Sequence, residues 1–246
     1  MNKILIIPFV LLFFFNTNSQ NSRGVIEYGK KSKKRVLTEK DKQRMKETPE
    51  KYKRFQKMYE LYAEGEKKLT FELRVDNNIG IFTMKPLLES ESNHKKQLGP
   101  GPYDKGVYYN KDKRILQLNA FGELFLITKP KLKWEIQKET KKIGEFECFK
   151  ATTEIIVNTK GRKHLITAWF TTKIPISFGP LGYDGLPGLI LELEVYKKIY
   201  YAKKIMLNPK EEIKIEKPTK GIKVTEKEYQ EKASSTMQKF KKSKGL

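Results

Sequence analysis

Cysteine is nearly absent from this chain: among 246 residues, Cys148 carries the one thiol. No internal disulfide can form, so stability is expected to rest on core packing. Histidine is almost as scarce, with His94 in a polar stretch and His164 in an apolar-alternating one. A structural zinc site takes several Cys or His at short spacing. No metal or other cofactor is therefore expected. Acidic side chains are a minority too, 29 against 51 Lys and Arg, for a formal charge of +22. That field favours anionic surfaces and solubility. Lys far outnumbers Arg, the residue suited to bidentate base recognition, so sequence-specific nucleic-acid binding is not expected.

Long apolar runs are limited to one. Residues 4–15 are almost unbroken apolar, after Lys3 and before Thr17, Asn18 and Ser19. A dozen residues fall short of the ~20 that a spanning helix needs. The order of basic start, apolar run and small or polar residues is that of a secretory signal peptide. Residues 1–19 are read as that signal, 20–207 as one β-rich domain, and 208–246 as a lysine-rich tail. The expected destination is the periplasm, the envelope or the exterior. No cysteine stands near the cut to carry a lipid, and no later stretch is long and apolar enough to span a bilayer. The positive charge is uneven. Residues 30–57 hold thirteen Lys or Arg against four acids.

Residues 24–30 read as a first strand, and the charged residues 31–47 as a mobile connection. A helix over 49–64 follows, with Thr48 as N-cap, Pro49 at the first helical position and Gly65 as its stop. Tyr52, Phe55, Tyr59 and Tyr62 recur at three and four residues, a stripe expected to face the core. Beyond Gly65 the period changes to two. Leu69, Phe71, Leu73 and Val75 alternate with polar residues, and Asn77-Asn78 turns the chain into a return strand. Residues 86–105 read as a long loop. Further hairpins bring the total to ten or eleven strands. Short connections make neighbours antiparallel, and a sheet that long curls or splits. The fold class is thus mainly β, a curved antiparallel meander (half-barrel or sandwich), with the 49–64 helix filling its concave side. Thr225 and Glu228 have capping-box spacing. They open a candidate C-terminal helix with Tyr229, Ala233, Met237 and Phe240 on one side.

The least ordinary stretch is "FGPLGYDGLPGLILELEV", residues 178–195, with Gly179, Gly182, Gly185 and Gly188 at every third position. A phosphate-cradling loop needs Lys-Ser/Thr after its last glycine, and Leu189 stands there. A dinucleotide fingerprint needs two glycines one residue apart and a following helix. Four triplets cannot sustain a collagen triple helix. A structural reading survives: prolines fix direction, glycines permit turns and close contact, and the loop delivers the chain into a strand. In that strand Leu189, Leu191, Leu193 and Val195 share a face opposite Ile190, Glu192 and Glu194. The two glutamates are expected to pair with lysines on neighbouring strands.

Residues 185–190 read Gly-Leu-Pro-Gly-Leu-Ile, and the chain resembles the GLPGLI family of secreted proteins from Bacteroidetes-type bacteria. "IGEFECFKATTE" resembles that family's Gly-x-x-Cys-x-Lys-Ala stretch through Gly144 and Cys148, with Phe149 intervening before Lys150-Ala151. Arg162, Ala168, Trp169, Phe170, Ile174, Pro175, Gly179 and Pro180 carry the rest, over about residues 133–195. The resemblance implies export and a β-rich domain and no established activity.

No catalytic constellation emerges. Cys148 lies in an apolar-alternating segment and reads as buried and inert, although His164 sits on a strand that could neighbour it. Ser177 lacks a nucleophile-elbow setting. Arg162, Trp169, Tyr183 and Asp184, with Gly185, Leu186, Pro187, Gly188, Leu189 and Ile190, are the candidate motif or binding residues. Against a recognition role, Trp169 also suits a core and Asp184-Gly185 a turn. Two functional classes stand. One is an exported, non-enzymatic binding module, its curved sheet offering an apolar concave face to an envelope protein, lipid or peptide. The other is a secreted hydrolase with carboxylates converging near Asp184, Glu192 or Glu194. Charge-driven adhesion to anionic surfaces is a third possibility. Sequencing the N-terminus of exported protein should return Gln20 first, and a retained Met1 contradicts the secretion reading.

Overall fold

The computed structural model describes residues 22–33, 37–86 and 100–244. The signal segment and most of the expected 86–105 loop lie outside them. Twelve strands form one sheet: β1 (Arg23–Ser32), β2 (Thr70–Asp76), β3 (Ile79–Met84), β4 (Val107–Asn110), β5 (Arg114–Ala120), β6 (Glu123–Lys129), β7 (Glu135–Ile143), β8 (Phe146–Ile156), β9 (Lys163–Thr171), β10 (Leu189–Val195), β11 (Lys198–Leu207) and β12 (Ile222–Thr225). Helices α1 (Glu39–Glu47) and α2 (Pro49–Lys68) follow β1, and α3 (Glu226–Ser243) follows β12. The sheet order is β12-β6-β5-β4-β3-β2-β1-β11-β10-β9-β8-β7. Two antiparallel meanders, β1 to β6 and β7 to β11, join through the β1–β11 pair. β12 alone adds in parallel, on β6.

Connectivity forces this open sheet to curl. β6 is second in the order and β7 last, ten strand spacings apart. In a flat sheet that separation is about 48 Å. Yet residues 130–134 alone connect them, and six Cα steps reach at most about 22 Å. The two ends therefore approach without bonding, and α3 spans between them. At one end Tyr229 meets Phe125 of β6 edge-on at 5.3 Å. Lys129 and Lys232 pair there with Glu226 and Glu123, both at 2.6 Å. At the other, Gln230 Nε2 donates to the Ile156 carbonyl of β8 at 2.9 Å.

The enclosed face holds the core: Ile26, Tyr28, Phe71, Phe82, Phe125, Ile166, Phe170 and Leu193 are all at most 1% exposed. Rings pack inside it, Phe71 stacked on Phe82 at 5.5 Å and set edge-on to Tyr200 at 5.3 Å. The expected helix does not fill this side: no residue of α2 belongs to this core. Residues 172–188 fold into it, and their Ile174, Ile176, Leu181, Tyr183 and Leu186 join the core.

The helices correct the sequence reading in four further ways. The connection read as mobile contains α1, because Thr38 and Asp41 form a reciprocal capping box and Lys42 pairs with Glu39 at 2.6 Å. Thr48 does not cap α2 with its side chain; its hydroxyl donates back to the Arg44 carbonyl. Nor does Gly65 stop α2, because Glu66 is anchored one residue later. The aromatic stripe is also only partly inward. Tyr52 is buried, whereas Phe55 and Tyr62 are 51% and 44% exposed.

The Glu66 anchor is a buried charged cluster. Lys30 Nζ lies 2.5 Å from Asp104 Oδ2 and 3.5 Å from Glu66 Oε1. Asp104 also accepts from the Tyr200 hydroxyl and the Gly101 N–H, each at 2.5 Å. Glu66 accepts from Lys198 and, at 2.7 Å, from the Ser32 hydroxyl. Lys30, Glu66 and Asp104 are each at most 3% exposed. Removing one partner of such a group strands buried charge, at a cost of about 3–5 kcal/mol. Lys30→Met should therefore lower the unfolding free energy by that much, read as a lower denaturant midpoint at unchanged slope. An unchanged midpoint contradicts the cluster's role in holding α2.

Candidate functional site

The loop between β9 and β10 is built inward. Its carbonyls and its one carboxylate are met by side chains reaching across the enclosed space. Arg114 Nε donates to the Gly182 carbonyl at 3.0 Å and lies 3.2 Å from Asp184 Oδ1. Arg114 Nη1 reaches the Pro130 carbonyl at 2.6 Å, tying the inter-edge connection to the same point. Asn110 Nδ2 donates to the Gly182 carbonyl at 2.9 Å and to Asp184 Oδ2 at 2.6 Å. The Trp134 indole donates to the Asp184 carbonyl at 2.7 Å. The Ser177 hydroxyl donates to the Leu186 carbonyl at 2.6 Å, and the Tyr28 hydroxyl to the Ile190 carbonyl at 2.7 Å.

Backbone amides finish the closure. Gly185 donates to Ser177, Leu189 to Ile174 and Ile190 to Phe178. Burial pushes the Asp184 carboxyl upward against the pull of Arg114 and Asn110, and pushes the Arg114 guanidinium downward against Asp184. Both groups thus sit where desolvation, not solvent, sets their charge. These contacts together form a latch.

Two glycines have a steric reason. Gly188 has φ +151°, and a Cβ there would stand 2.0 Å from the Thr171 carbonyl oxygen, a backbone atom that cannot step aside. Gly185 has φ +88°, and a Cβ there would meet only the Trp134 ring at an ordinary 3.9 Å, so its conformation alone selects glycine. Beyond Gly188, a register shift between Ile190 and Glu192 breaks the simple alternation. Ile190, expected opposite the leucines, is fully buried alongside Leu189 and Leu191.

The four residues considered as a recognition patch are not brought together. Tyr183 and Asp184 face the interior. Trp169 points to the opposite side of the sheet, because Ala168 and Phe170 take the inward positions of β9. The Lys141 ammonium lies 4.3 Å from its ring centroid. Arg162 is exposed in the β8–β9 turn, its N–H bonded to Asn158 Oδ1. Leu186, Leu189 and Ile190 are core residues, while Gly185 and Pro187 are exposed at the loop surface.

The carboxylates diverge: Asp184 points in, while Glu192 accepts from Lys141 at 2.7 Å and Glu194 from Lys33 at 2.6 Å on the outer face. Cys148 and His164 are also apart. His164 pairs with Ile155, seven residues along β8 from Cys148, and its Nε2 accepts from the Tyr196 N–H. Cys148 is fully buried, and burial pushes its thiol up to about 11. Among the described residues no three His, Cys, Asp or Glu side chains gather as a metal site would require.

Asn110, Arg114 and Trp134 escaped sequence reading. The first two flank the three-residue turn Lys111-Asp112-Lys113, where polar side chains read as ordinary hairpin ends. Among the described residues the enclosed face is filled by Ile174, Ile176, Leu181, Tyr183 and Leu186 and offers no open apolar concavity. A groove of about 350 Å³ lies instead beside α3, lined by Tyr103, Val157, Asn158, Tyr229, Met237 and Lys241 among others.

Residues 159–192 match the model of a family described as a protein of unknown function, Porph_ging. The match takes in β9, the latch loop and the start of β10. Comparison with curated proteins finds no match. Among solved structures the chain is similar to PNGF-II in its C2 and P21 crystal forms, at 13% and 14% identity and TM-scores of 0.45 and 0.42. These alignments cover 86% and 84% of this chain and 32% and 31% of those chains, so it spans about a third of their length. Likeness that distant carries no argument about chemistry.

Substitutions separate conformation from contact. Gly185→Ala should cost about 1 kcal/mol, and Leu189→Ala about 2–5 kcal/mol. Gly188→Ala should exceed the Gly185 variant clearly, because backbone must move. Thermal melts rank the three, and equal melting of the two glycine variants contradicts the contact with Thr171.

Proposed function

We propose that this chain is an exported, non-enzymatic binding protein of the cell envelope, of the GLPGLI type that residues 185–190 and their surroundings resemble. One observation carries the reading. The stretch richest in unusual residues spends its polar groups on closing the fold, whereas the outer surface carries the charge and the exposed apolar side chains. Binding at a surface uses what such a molecule displays. A hydrolase would need converging acids or a nucleophile, and the three candidate carboxylates are each engaged by a cation, on opposite faces of the sheet. The apolar segment at residues 4–15 supports export.

Fractionation of cells making the full chain tests the reading. The protein should leave the cytoplasm and sediment with the envelope at low salt. Recovery in the cytoplasm with Met1 in place contradicts it.

A further inference from the structure

α2 has two different apolar sides. Tyr52, Tyr59, Ala63 and Glu66, spaced by seven, four and three, turn toward β1; Tyr52 and Glu66 are buried, and the Tyr59 hydroxyl donates to the Lys33 carbonyl. Phe55, Met58, Leu61 and Tyr62, spaced by three and four, form the adjoining flank and are 51%, 48%, 42% and 44% exposed. Exposed apolar residues are ordinary one at a time; four on one flank of one helix form a patch.

The helix that carries this patch is rich in cations. Lys51 and Arg54 lie one turn before Phe55 and Met58, on the same flank at 100° per residue. On the opposite flank Glu60 and Glu64 are joined by Lys53, Lys57 and Lys67, so cations stand on both sides of the strip. α1, joined to α2 by Thr48 alone, adds Lys40, Lys42, Arg44 and Lys46. An apolar strip edged by cations is the arrangement of a helix that lies in a membrane interface: the strip enters the acyl boundary and the ammonium and guanidinium groups meet anionic headgroups. An acidic protein groove would also answer the charge. A lipid surface answers the geometry better, since the patch is convex, follows one helix and includes long, flexible side chains and a tyrosine with a polar tip.

We infer that α2 docks this protein on anionic lipid, Phe55, Met58, Leu61 and Tyr62 inserting while Lys51 and Arg54 pair with headgroups. The inference rests on the envelope-binding reading and names its partner. Both terms are needed: charge supplies attraction that salt screens, and the inserted side chains supply a part that salt leaves.

Exported protein recovered from cells is titrated with vesicles of phosphatidylcholine alone and of phosphatidylcholine with phosphatidylglycerol. Binding is expected to the second and not to the first. Lys51→Gln with Arg54→Gln should weaken it about 25-fold, roughly fivefold per charge. Phe55→Ser, Met58→Ser and Leu61→Ser together should weaken it about a hundredfold and remove the part that survives high salt. These sites are half-exposed, and matching circular dichroism melts verify that the variants fold. Equal binding to both vesicle types, or binding unchanged in the apolar triple variant, overturns the inference. Envelope sedimentation without vesicle binding also overturns it, assigning α2 or another surface to a protein partner while the envelope reading stands. If sedimentation fails as well, both fall.

Discussion

Residues 130–134 impose the constraint on which the rest depends. They carry the chain from the second strand of the sheet to the last, a span that a flat twelve-stranded sheet would make about twice too long. Once the sheet curls, one face becomes an enclosed volume lined by Ile26, Phe71, Phe125, Ile166 and Phe170, and that volume has to be filled. The 172–188 segment fills it from within the chain, so strand pairing and loop packing become parts of one event. Arg114 joins them physically, reaching the Pro130 carbonyl of the connection and the Gly182 carbonyl of the loop with one guanidinium.

Filling a core with loop backbone raises a cost that filling it with side chains does not. Every carbonyl and N–H taken from water needs a partner. Asn110, Arg114, Trp134, Ser177 and Tyr28 supply these partners one by one, and the glycines let the backbone pass close to β9. The buried Arg114–Asp184 pair is correspondingly weak evidence of net stabilisation, since desolvation opposes it. Its geometry specifies where the loop sits. The cluster of Lys30, Glu66, Asp104 and Tyr200 does the same for α2 and the 102–105 turn.

Much of this architecture was legible in the sequence because alternation is a direct record of a one-sided sheet. Leu69, Phe71, Leu73 and Val75 are all inside, as their spacing implied. The glycine loop announced itself as structural by what it lacked. Other features leave weaker traces. β12 was missed because Ile222–Thr225 is short, lysine-flanked and held mainly by backbone pairing to β6. The aromatic stripe of α2 was legible as a stripe, but spacing does not state which flank turns toward the sheet, and Phe55 and Tyr62 stay half-exposed. Ile190 turned inward because a bulge, invisible to a period of two, adds a residue to β10. Asn110 and Arg114 could not be read at all, since their partners are carbonyls some seventy residues away.

The outer surface then carries what the interior cannot: lysines paired with Glu192 and Glu194, and a helix with a half-exposed apolar flank. Hydrogen exchange tests the central claim that the glycine-rich loop is part of the core. The amides of Gly185, Leu189 and Ile190 donate to Ser177, Ile174 and Phe178. They are predicted to exchange as slowly as those of β1 and of residues 191–195 in β10, through global unfolding. Fast exchange at these three positions while the strands stay protected would mean that the loop opens on its own, and would contradict the account.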